Sequence, residues 1–512
     1  MVYESIILKF ILSFYEVLKR YISHSVIVRG FERLYHSVIR LLANSSILNF
    51  IMREGFLART WENSGMYRVI KAVLEIPSTS LRKLYLKGEQ VFEASLAIKL
   101  LKAILKKYHL ILGAFLFLVI VVPHQYWNNM YSAAAAAGLF LLFLLKAVFF
   151  RGTSFQAKAL DFFMFVFVLS ILIAQVFSTY PQYSLRFLAF YITCFLFLLL
   201  IVSEFRTMDK LETLLGIMLV AVSISGVYGI WQRIVGVPVN PAYVDLNLNE
   251  GLPGRVYSTM DNPNNFAEIL VMMIPFYFAA IFNSKTAVRK LFYAALAVPP
   301  MVSLLLTGSR ASWVGFAAAF MVYLFFKNKK LIPVAIILGL MAVPFLPKSI
   351  YRRILTIFNP YDSSMNYRKQ IYYSVKPMLR DFWLTGFGLG TDVFRKLANT
   401  YYWYTGSIPA HSHNFFLQLW LEAGIIGILS FLGAMIRIAK RSIKAVYSNA
   451  DERAKNTLIS GMMSIAGVLV AGIVEYIWFY QRVMLIFWVV VGIMLATLAI
   501  CAKKEDYLLK ND

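Results

Sequence analysis

Long apolar stretches separated by short polar segments dominate the chain from about residue 108 onward. Repeated apolar runs of roughly 18–25 residues are typical of α-helices that cross a lipid bilayer. The pattern predicts an all-α polytopic membrane protein with about 12 transmembrane helices. The predicted spans are 108–123, 130–150, 160–177, 184–203, 211–236, 264–282, 289–307, 312–326, 331–346, 412–437, 457–474 and 481–502.

The residues before the first apolar run have a different pattern. Residues 1–107 carry 17 Lys/Arg and 8 Asp/Glu, and apolar residues recur at helical spacing, as in the segment 6–21. This predicts amphipathic helices that lie on a membrane surface or pack against the bundle, and Ser64 could cap one of them. We therefore predict a basic cytoplasmic or membrane-surface region at 1–107, a transmembrane domain at 108–503 and a cytoplasmic tail at 504–512.

The orientation follows from the basic residues of the loops. With the N-terminus inside, the short inner loops hold 15 Lys/Arg, whereas the short outer loops hold only Arg255 and Arg310. Because short cytoplasmic loops are enriched in basic residues, both termini are predicted to be cytoplasmic, in an inner or plasma membrane. Residues 347–411 then form a long extracytoplasmic loop before the tenth span. A loop of this length should contain helices, for example over 367–380.

Composition agrees with this class and limits the partners. The chain is 60% apolar with a mean hydropathy of +0.66, against about 45–50% apolar for soluble domains. Its net charge of +25 suits anionic headgroups and lipid-linked phosphates, and no nucleic-acid-binding motif accompanies it. Cys194 and Cys501 lie in separate apolar runs, which predicts small core residues rather than a disulfide or metal site.

Arginines at the predicted outer face are the first candidates for chemistry. They are Arg186, Arg255, Arg310 and Arg368. A guanidinium grips phosphate oxygens with paired donors, which suggests phosphate or diphosphate binding. The alternative, an arginine that extends from a span end toward lipid headgroups, applies most directly to Arg186.

The segment entering the tenth span holds the second group of candidates. His411, His413 and Asn414 precede it, and imidazoles beside a membrane span are costly to place there without a task. His413 could act as a general base or be a structural histidine. Asn264, in the Asn-Pro-Asn segment before the sixth span, could bind substrate or belong to a helix-capping turn. We expect Glu422 to pair with an arginine of a neighbouring span.

Metal and nucleotide sites are not predicted. No outer-face cluster has the spacing of metal ligands, and Gly386-x-Gly388-x-Gly390 lacks the strand and helix context of a dinucleotide site, so it predicts a turn. A metal-independent reaction without a cofactor is favoured, in which arginines stabilise a leaving diphosphate.

These motifs, in this order, resemble the O-antigen ligase and polymerase family of polytopic glycosyltransferases. The resemblance covers roughly residues 108–503 and rests on 255–264, on 307–310, on Arg368 with the glycine turn, and above all on 413–427. It implies a type C glycosyltransferase-like fold. It also implies transfer of a glycan from an undecaprenyl diphosphate donor to a hydroxyl acceptor on the extracytoplasmic side, without a metal.

Site roles follow from the resemblance residue by residue. Arg310 and Arg255 would grip the diphosphate, and His413 would serve the acceptor or the diphosphate. Arg186 is a weaker transfer, because its surroundings match no distinctive motif. Asn264, Arg368, His411 and Asn414 are further substrate-binding candidates. The acceptor, which could be a lipid A core, a growing glycan or a surface protein, stays open.

Two other functions remain as alternatives. A transporter or flippase of lipid-linked or anionic glycan precursors would also use basic residues, but the spans carry few acidic groups that could couple ions. A structural scaffold for envelope assembly would need no catalytic imidazole.

Overall fold

The computed structural model describes residues 63–157, 161–238, 254–346, 348–355, 363–401 and 408–508, with isolated positions before residue 63. The helical pattern predicted for 6–21 lies outside the described residues. The regular structure of the described part is helical, without strands. Its α-helices, numbered α1 to α18, are Gly65–Lys87, Glu89–Ala94, Leu96–Lys106, Tyr108–Val121, Asn129–Phe149, Phe162–Val176, Pro181–Glu204, Met208–Val235, Pro263–Asn283, Ala287–Leu306, Arg310–Asn328, Leu331–Ala342, Lys348–Leu355, Ser363–Phe382, Thr391–Tyr401, Phe415–Tyr447, Glu452–Ala471 and Gln481–Leu508.

Every predicted span has a helix at the matching place, namely α4 to α12 and α16 to α18. Within the described ranges, nine of these are long and apolar enough to cross a membrane. Helices α3 and α4, bent by 61° between them, pass the same test as a pair, whereas α6 and α12 are shorter. The all-α polytopic fold is therefore confirmed, and the number of 12 spans stays a prediction.

The centre of the bundle is built from aromatic and small side chains. Trp478 is buried and packs its ring 4.7 Å from that of Phe415 and 5.6 Å from that of Trp488. Helices α11 and α17 approach closely because Gly315 faces Gly467, and a Cβ on Gly315 would overlap the Gly467 carbonyl oxygen. Cys194 and Cys501 are both buried, as predicted for small core residues.

Polar contacts tie the helices together at one end of the bundle. Lys146 Nζ lies 2.5 Å from Glu204 Oε2, and Arg437 Nε lies 3.0 Å from Asp161 Oδ2. A third pair joins Arg453 Nη1 to Asp209 Oδ1 at 2.7 Å. These pairs lie where the loops predicted to be cytoplasmic connect the spans, opposite the end at which α9, α11 and α16 begin.

The long segment 347–411 contains helices, as predicted. They are α13 to α15, and α14 includes the helix expected over 367–380. The predicted glycine turn follows α14, with φ of 77°, 113° and 92° at Gly386, Gly388 and Gly390. These angles fall where glycine is favoured, because it has no Cβ.

The glycine turn docks against a break in α16. Gly424 has a φ of 67° inside this helix, so α16 consists of two helical pieces. Phe387 N donates to the Leu421 carbonyl at 2.9 Å, and Ile425 N donates to the Trp383 carbonyl at 2.8 Å. Backbone groups left unpaired by the break are thereby satisfied by the long segment.

Candidate functional site

One carboxylate, Glu475, connects the candidate residues. It lies between α17 and α18, where Oε1 is 3.1 Å from Arg368 Nη2 and accepts from Asn264 Nδ2 at 3.4 Å. Its other oxygen, Oε2, is 3.5 Å from His413 Nδ1. Residues of α9, α14 and the segment before α16, all distant in sequence, therefore meet at Glu475.

Arg255 extends this cluster toward the turn between α10 and α11. Its Nη2 donates to Asn264 Oδ1 at 2.5 Å, and its Nε donates to the Thr307 carbonyl at 2.6 Å. Gly308 follows Thr307 with a φ of 62°, and a Cβ there would lie 3.4 Å from Arg255 Nε. Arg310, half-buried, begins α11 just after this turn. The two arginines of the short outer loops therefore meet at the same turn.

A further arginine reaches the same turn from the long segment. Arg353, in α13, donates its Nε to the Gly308 carbonyl at 3.3 Å. With Arg368 of α14, the segment 347–411 thus supplies two guanidinium groups next to the two from the short loops. Four positive groups in this small region favour an anionic ligand.

The two histidines have different surroundings. His413 N donates to His411 Nδ1 at 3.2 Å, and the two ring centroids are 4.2 Å apart. His411 is buried and its ring lies against Tyr476 and Phe479, whereas the His413 side chain remains 25% exposed. His413 also has a φ of 50°, a conformation that costs about 1–3 kcal/mol in a non-glycine residue and clusters at functional sites. His413 is the histidine that a ligand can reach.

Asn414 is held by its own local contacts. Its Oδ1 accepts from Leu417 N at 3.0 Å as the N-cap of α16, and its Nδ2 donates to the Ile473 carbonyl at 2.8 Å. The side chain therefore fixes the segment of His413 to the segment of Glu475. Similarly, Asn262 caps α9 by accepting from Asn264 N at 2.8 Å, so the segment forms the capping turn that was one of its two interpretations.

Arg186 is the candidate that the structure does not join to the cluster. Its side chain is 58% exposed and pairs with Asp392 of α15 at 3.1 Å. The guanidinium also lies over the Phe187 ring, 5.6 Å from its centroid. These contacts fit the alternative, an arginine at the end of a span near lipid headgroups.

Glu475 and His411 differ in how their surroundings affect ionisation. Burial opposes ionisation of Glu475, but the hydrogen bond and charge of His413 and the charge of Arg368 outweigh it and hold its pKa at about 2. Burial lowers the pKa of His411 well below its usual value, and the neighbouring His413 adds to this. Glu475 is therefore anionic and His411 neutral near pH 7.

The prediction that Glu422 pairs with an arginine of a neighbouring span is wrong. Glu422 is fully buried, and its Oε1 accepts from Gln418 Nε2 at 2.9 Å and from the Tyr476 hydroxyl at 3.0 Å. Gln418 stands one helical turn earlier on α16, so it reaches the carboxyl without help from another span. Within the described part of the chain, Glu422 pairs with neutral donors only.

Two cluster residues were not predicted from the sequence. Glu475 is the one charged residue of the predicted outer loop 475–480, and that isolation was an available signal. Arg353 follows Arg352 directly, and only the structure distinguishes the one that reaches Gly308. In the described ranges, no group of three or more His, Cys, Asp or Glu side chains could hold a metal ion.

Comparison with known proteins identifies a similar family. Residues 292–432 match the family model described as O-antigen ligase. This match confirms the O-antigen ligase family resemblance. The matched O-antigen ligase region contains Arg310, Arg353, Arg368 and both site histidines, and Glu475 lies beyond it.

A distant relative supports the same family. The chain is 24% identical over 333 residues to the teichuronic acid biosynthesis protein TuaE of Bacillus subtilis (strain 168). The alignment covers 61% of this chain and 67% of the relative. Together with the O-antigen ligase match, it supports a glycan ligase or polymerase role in cell-envelope polysaccharide biosynthesis for this multi-pass membrane protein.

Proposed function

We propose that the protein transfers a glycan from an undecaprenyl diphosphate donor to a hydroxyl acceptor at the extracytoplasmic face, with inversion and without a metal ion. The observation that carries this proposal is the chain of contacts from Arg255 through Asn264 and Glu475 to His413. It brings a guanidinium and an imidazole into one cluster, and glycosyl transfer from a diphosphate needs an anion-binding group close to a proton acceptor.

The arginines would bind and stabilise the diphosphate. Arg255 is held by the Thr307 carbonyl and Asn264, so its guanidinium is positioned before substrate arrives. Arg310 adjoins it at the start of α11, and Arg368 reaches the cluster from α14. Preorganised donors of this kind stabilise charge that develops on a leaving group, because they do not need to reorient.

His413 would accept the proton of the attacking hydroxyl. Glu475 faces Nδ1, which leaves Nε2 to contact the acceptor. The acceptor oxygen bonds to the anomeric carbon, its proton moves to Nε2, and the bond from that carbon to the phosphate oxygen breaks with its electron pair on the diphosphate. The 3.5 Å separation of Nδ1 and Oε2 is long for a hydrogen bond, and such contacts often tighten when substrate binds.

The proposal also includes a polysaccharide acceptor and a defined orientation of the protein in the membrane. The name of the B. subtilis relative places it in teichuronic acid biosynthesis, which supports a polysaccharide rather than a protein acceptor. The distribution of basic residues supports cytoplasmic termini in a cell membrane, with the cluster on the extracytoplasmic side.

The test is a transfer assay with purified protein in detergent. Undecaprenyl diphosphate-linked glycan and an acceptor glycan are supplied, and mass spectrometry and NMR follow the product and its anomeric configuration. The proposal expects an inverted product from wild type and none from His413→Ala. Movement of the donor across sealed vesicles without any product in detergent would support the flippase alternative instead. Equal product from His413→Ala would contradict the role of the imidazole.

A further inference from the structure

An apolar surface outside the transmembrane bundle runs along α1. Met66, Val69, Val73, Ile76 and Leu84 recur at spacings of three, four or eight residues and are each 51–64% exposed. Residues at these spacings share one face of a helix, so they form an apolar stripe, with Ser80 between Ile76 and Leu84. Apolar area in water costs about 25 cal/mol per Å², which makes an uncovered stripe of this length unfavourable.

Helix α3 repeats the arrangement. Leu96, Leu100 and Ile104 follow one another at spacings of four and are 71%, 59% and 52% exposed. Leu105, on another side of the same helix, is fully buried. Each helix therefore has two apolar sides, of which the described part of the protein covers only one.

Exposed basic residues are also present on both helices. They are Arg68, Lys71, Lys83, Lys87, Lys99 and Lys106. A helix with an apolar face and a Lys/Arg-rich polar face is typical of helices that lie in the plane of a membrane interface. Each basic residue near an anionic surface contributes about 1 kcal/mol of attraction.

Contacts with the bundle fix the position of these helices. The Tyr85 ring packs 5.2 Å from that of Phe149 at the end of α5, and Lys102 Nζ lies over both rings. Lys102 also contacts Glu93, so α1, α2 and α3 are joined at one point. Phe149 ends α5 at the face opposite the Glu475 cluster, where the predicted cytoplasmic loops lie.

Trp61 provides a second contact with the bundle at the face opposite the Glu475 cluster. Its ring packs 4.7 Å from that of Phe165 and 6.3 Å from that of Phe162. Both phenylalanines belong to the beginning of α6, next to the end of α5 in the chain. The start of α1 and its end are thus both attached at one membrane boundary.

We propose that α1 to α3 form an in-plane collar in the membrane leaflet opposite the Glu475 cluster, with the exposed apolar stripes covered by acyl chains and the basic residues bound to anionic headgroups. We favour a lipid surface over a partner protein because exposed Lys and Arg side chains accompany the apolar stripes, as they do in helices that lie in a membrane interface. The collar does not depend on the proposed glycan transfer.

The test measures the depth of individual positions in the full-length protein. Single cysteines replace Val73, Leu100, Lys71 and Lys99 in a background with Cys194→Ala and Cys501→Ala, and each carries an environment-sensitive fluorophore. The protein is reconstituted in phosphatidylcholine vesicles with or without phosphatidylglycerol. Doxyl-labelled lipids should quench positions 73 and 100 at least about threefold more than positions 71 and 99, and aqueous iodide should show the opposite order.

Two results would overturn the collar. Iodide quenching at positions 73 and 100 equal to that at 71 and 99 would show that water covers the stripes. Protection of these positions from both quenchers in native membranes, lost on purification, would show that a protein covers them. For the headgroups, native mass spectrometry should find less retained phosphatidylglycerol in Arg68→Gln/Lys71→Gln/Lys99→Gln than in wild type. Unchanged retention would contradict the anionic-lipid part.

Discussion

Oε2 of Glu475 lies 3.5 Å from Nδ1 of His413, although 62 positions separate the two residues in the chain. The pair forms because Asn414, next to His413, donates to the carbonyl of Ile473, close to Glu475. A carboxylate that faces one imidazole nitrogen fixes the tautomer and the orientation of the ring, so that the other nitrogen can accept a proton. In the proposed reaction, Glu475 would therefore act through His413.

Replacing Glu475 by glutamine should separate this positioning role from simple folding. The amide retains the size of the side chain but not its charge, and we expect the transfer rate to fall about 10²-fold. Because the carboxylate orients the imidazole rather than the bound substrates, the loss should fall on kcat and leave KM nearly unchanged. The measurement is initial rate against substrate concentration, with Glu452→Gln as control because that side chain is 74% exposed at the opposite end. Kinetic constants equal to wild type would refute the role.

Stability should also depend on pH through Glu475. Its pKa is about 2 in the folded protein against 4.5 ordinarily, so its ionised form stabilises the fold above about pH 4.5 and this contribution is lost as the pH falls toward 2. The contribution is on the order of 3 kcal/mol. Between pH 7 and pH 3, the Tm of wild type in detergent should fall more than that of Glu475→Gln. Parallel declines would show that Glu475 makes no such contribution.

The arginines should differ sharply in their effect on transfer. Arg310→Ala should lower the rate by about 10²–10³, the usual effect of losing a charge-stabilising donor, while the protein remains in the membrane. Arg186→Ala should change the rate less than about threefold, because Arg186 pairs with Asp392 at the surface. Rates with purified variants, matched for amount by immunoblot, check both. Similar losses in the two variants would mean that Arg186 belongs to the site.

Physical reasons explain which features of the fold and of the site can be predicted from the sequence. Apolar runs determine where α4 to α12 and α16 to α18 lie, because a bilayer requires long apolar helices. Arg255 and Arg310 stood out because charges are rare in short outer loops. Glu475 is equally isolated in its short loop, but a carboxylate does not bind phosphate, so a search for phosphate ligands does not find it. The pairing of Arg186 with Asp392 depends on how α15 folds back over α7, which no local pattern encodes.

The two histidines should tolerate different substitutions. In His411→Asn, the side-chain oxygen can replace Nδ1 as the acceptor for His413 N, so most of the activity should remain. In His413→Asn, no group reaches the position of Nε2, and transfer should fall by about 10²–10⁴ as for a lost general base. Assays of both variants beside wild type provide the measurement. A greater loss in His411→Asn than in His413→Asn would indicate that His411, and not His413, accepts the proton.

The break in α16 should be indispensable for the docked glycine turn. A Cβ at Gly424 would overlap the Leu384 carbonyl oxygen, and the φ of 67° there is unfavourable for any other residue. Gly424→Ala should therefore destabilise the protein by at least about 1–3 kcal/mol, the range for strained backbone. It should also increase hydrogen exchange at Phe387 and Ile425, whose amides hold the turn. Gly138→Ala is the matched control, since nothing lies within 4 Å of its Cβ position and alanine favours the helix. If Gly424→Ala exchanges and melts like Gly138→Ala, the long segment does not depend on the break for its position, and the placement of Arg368 must have another cause.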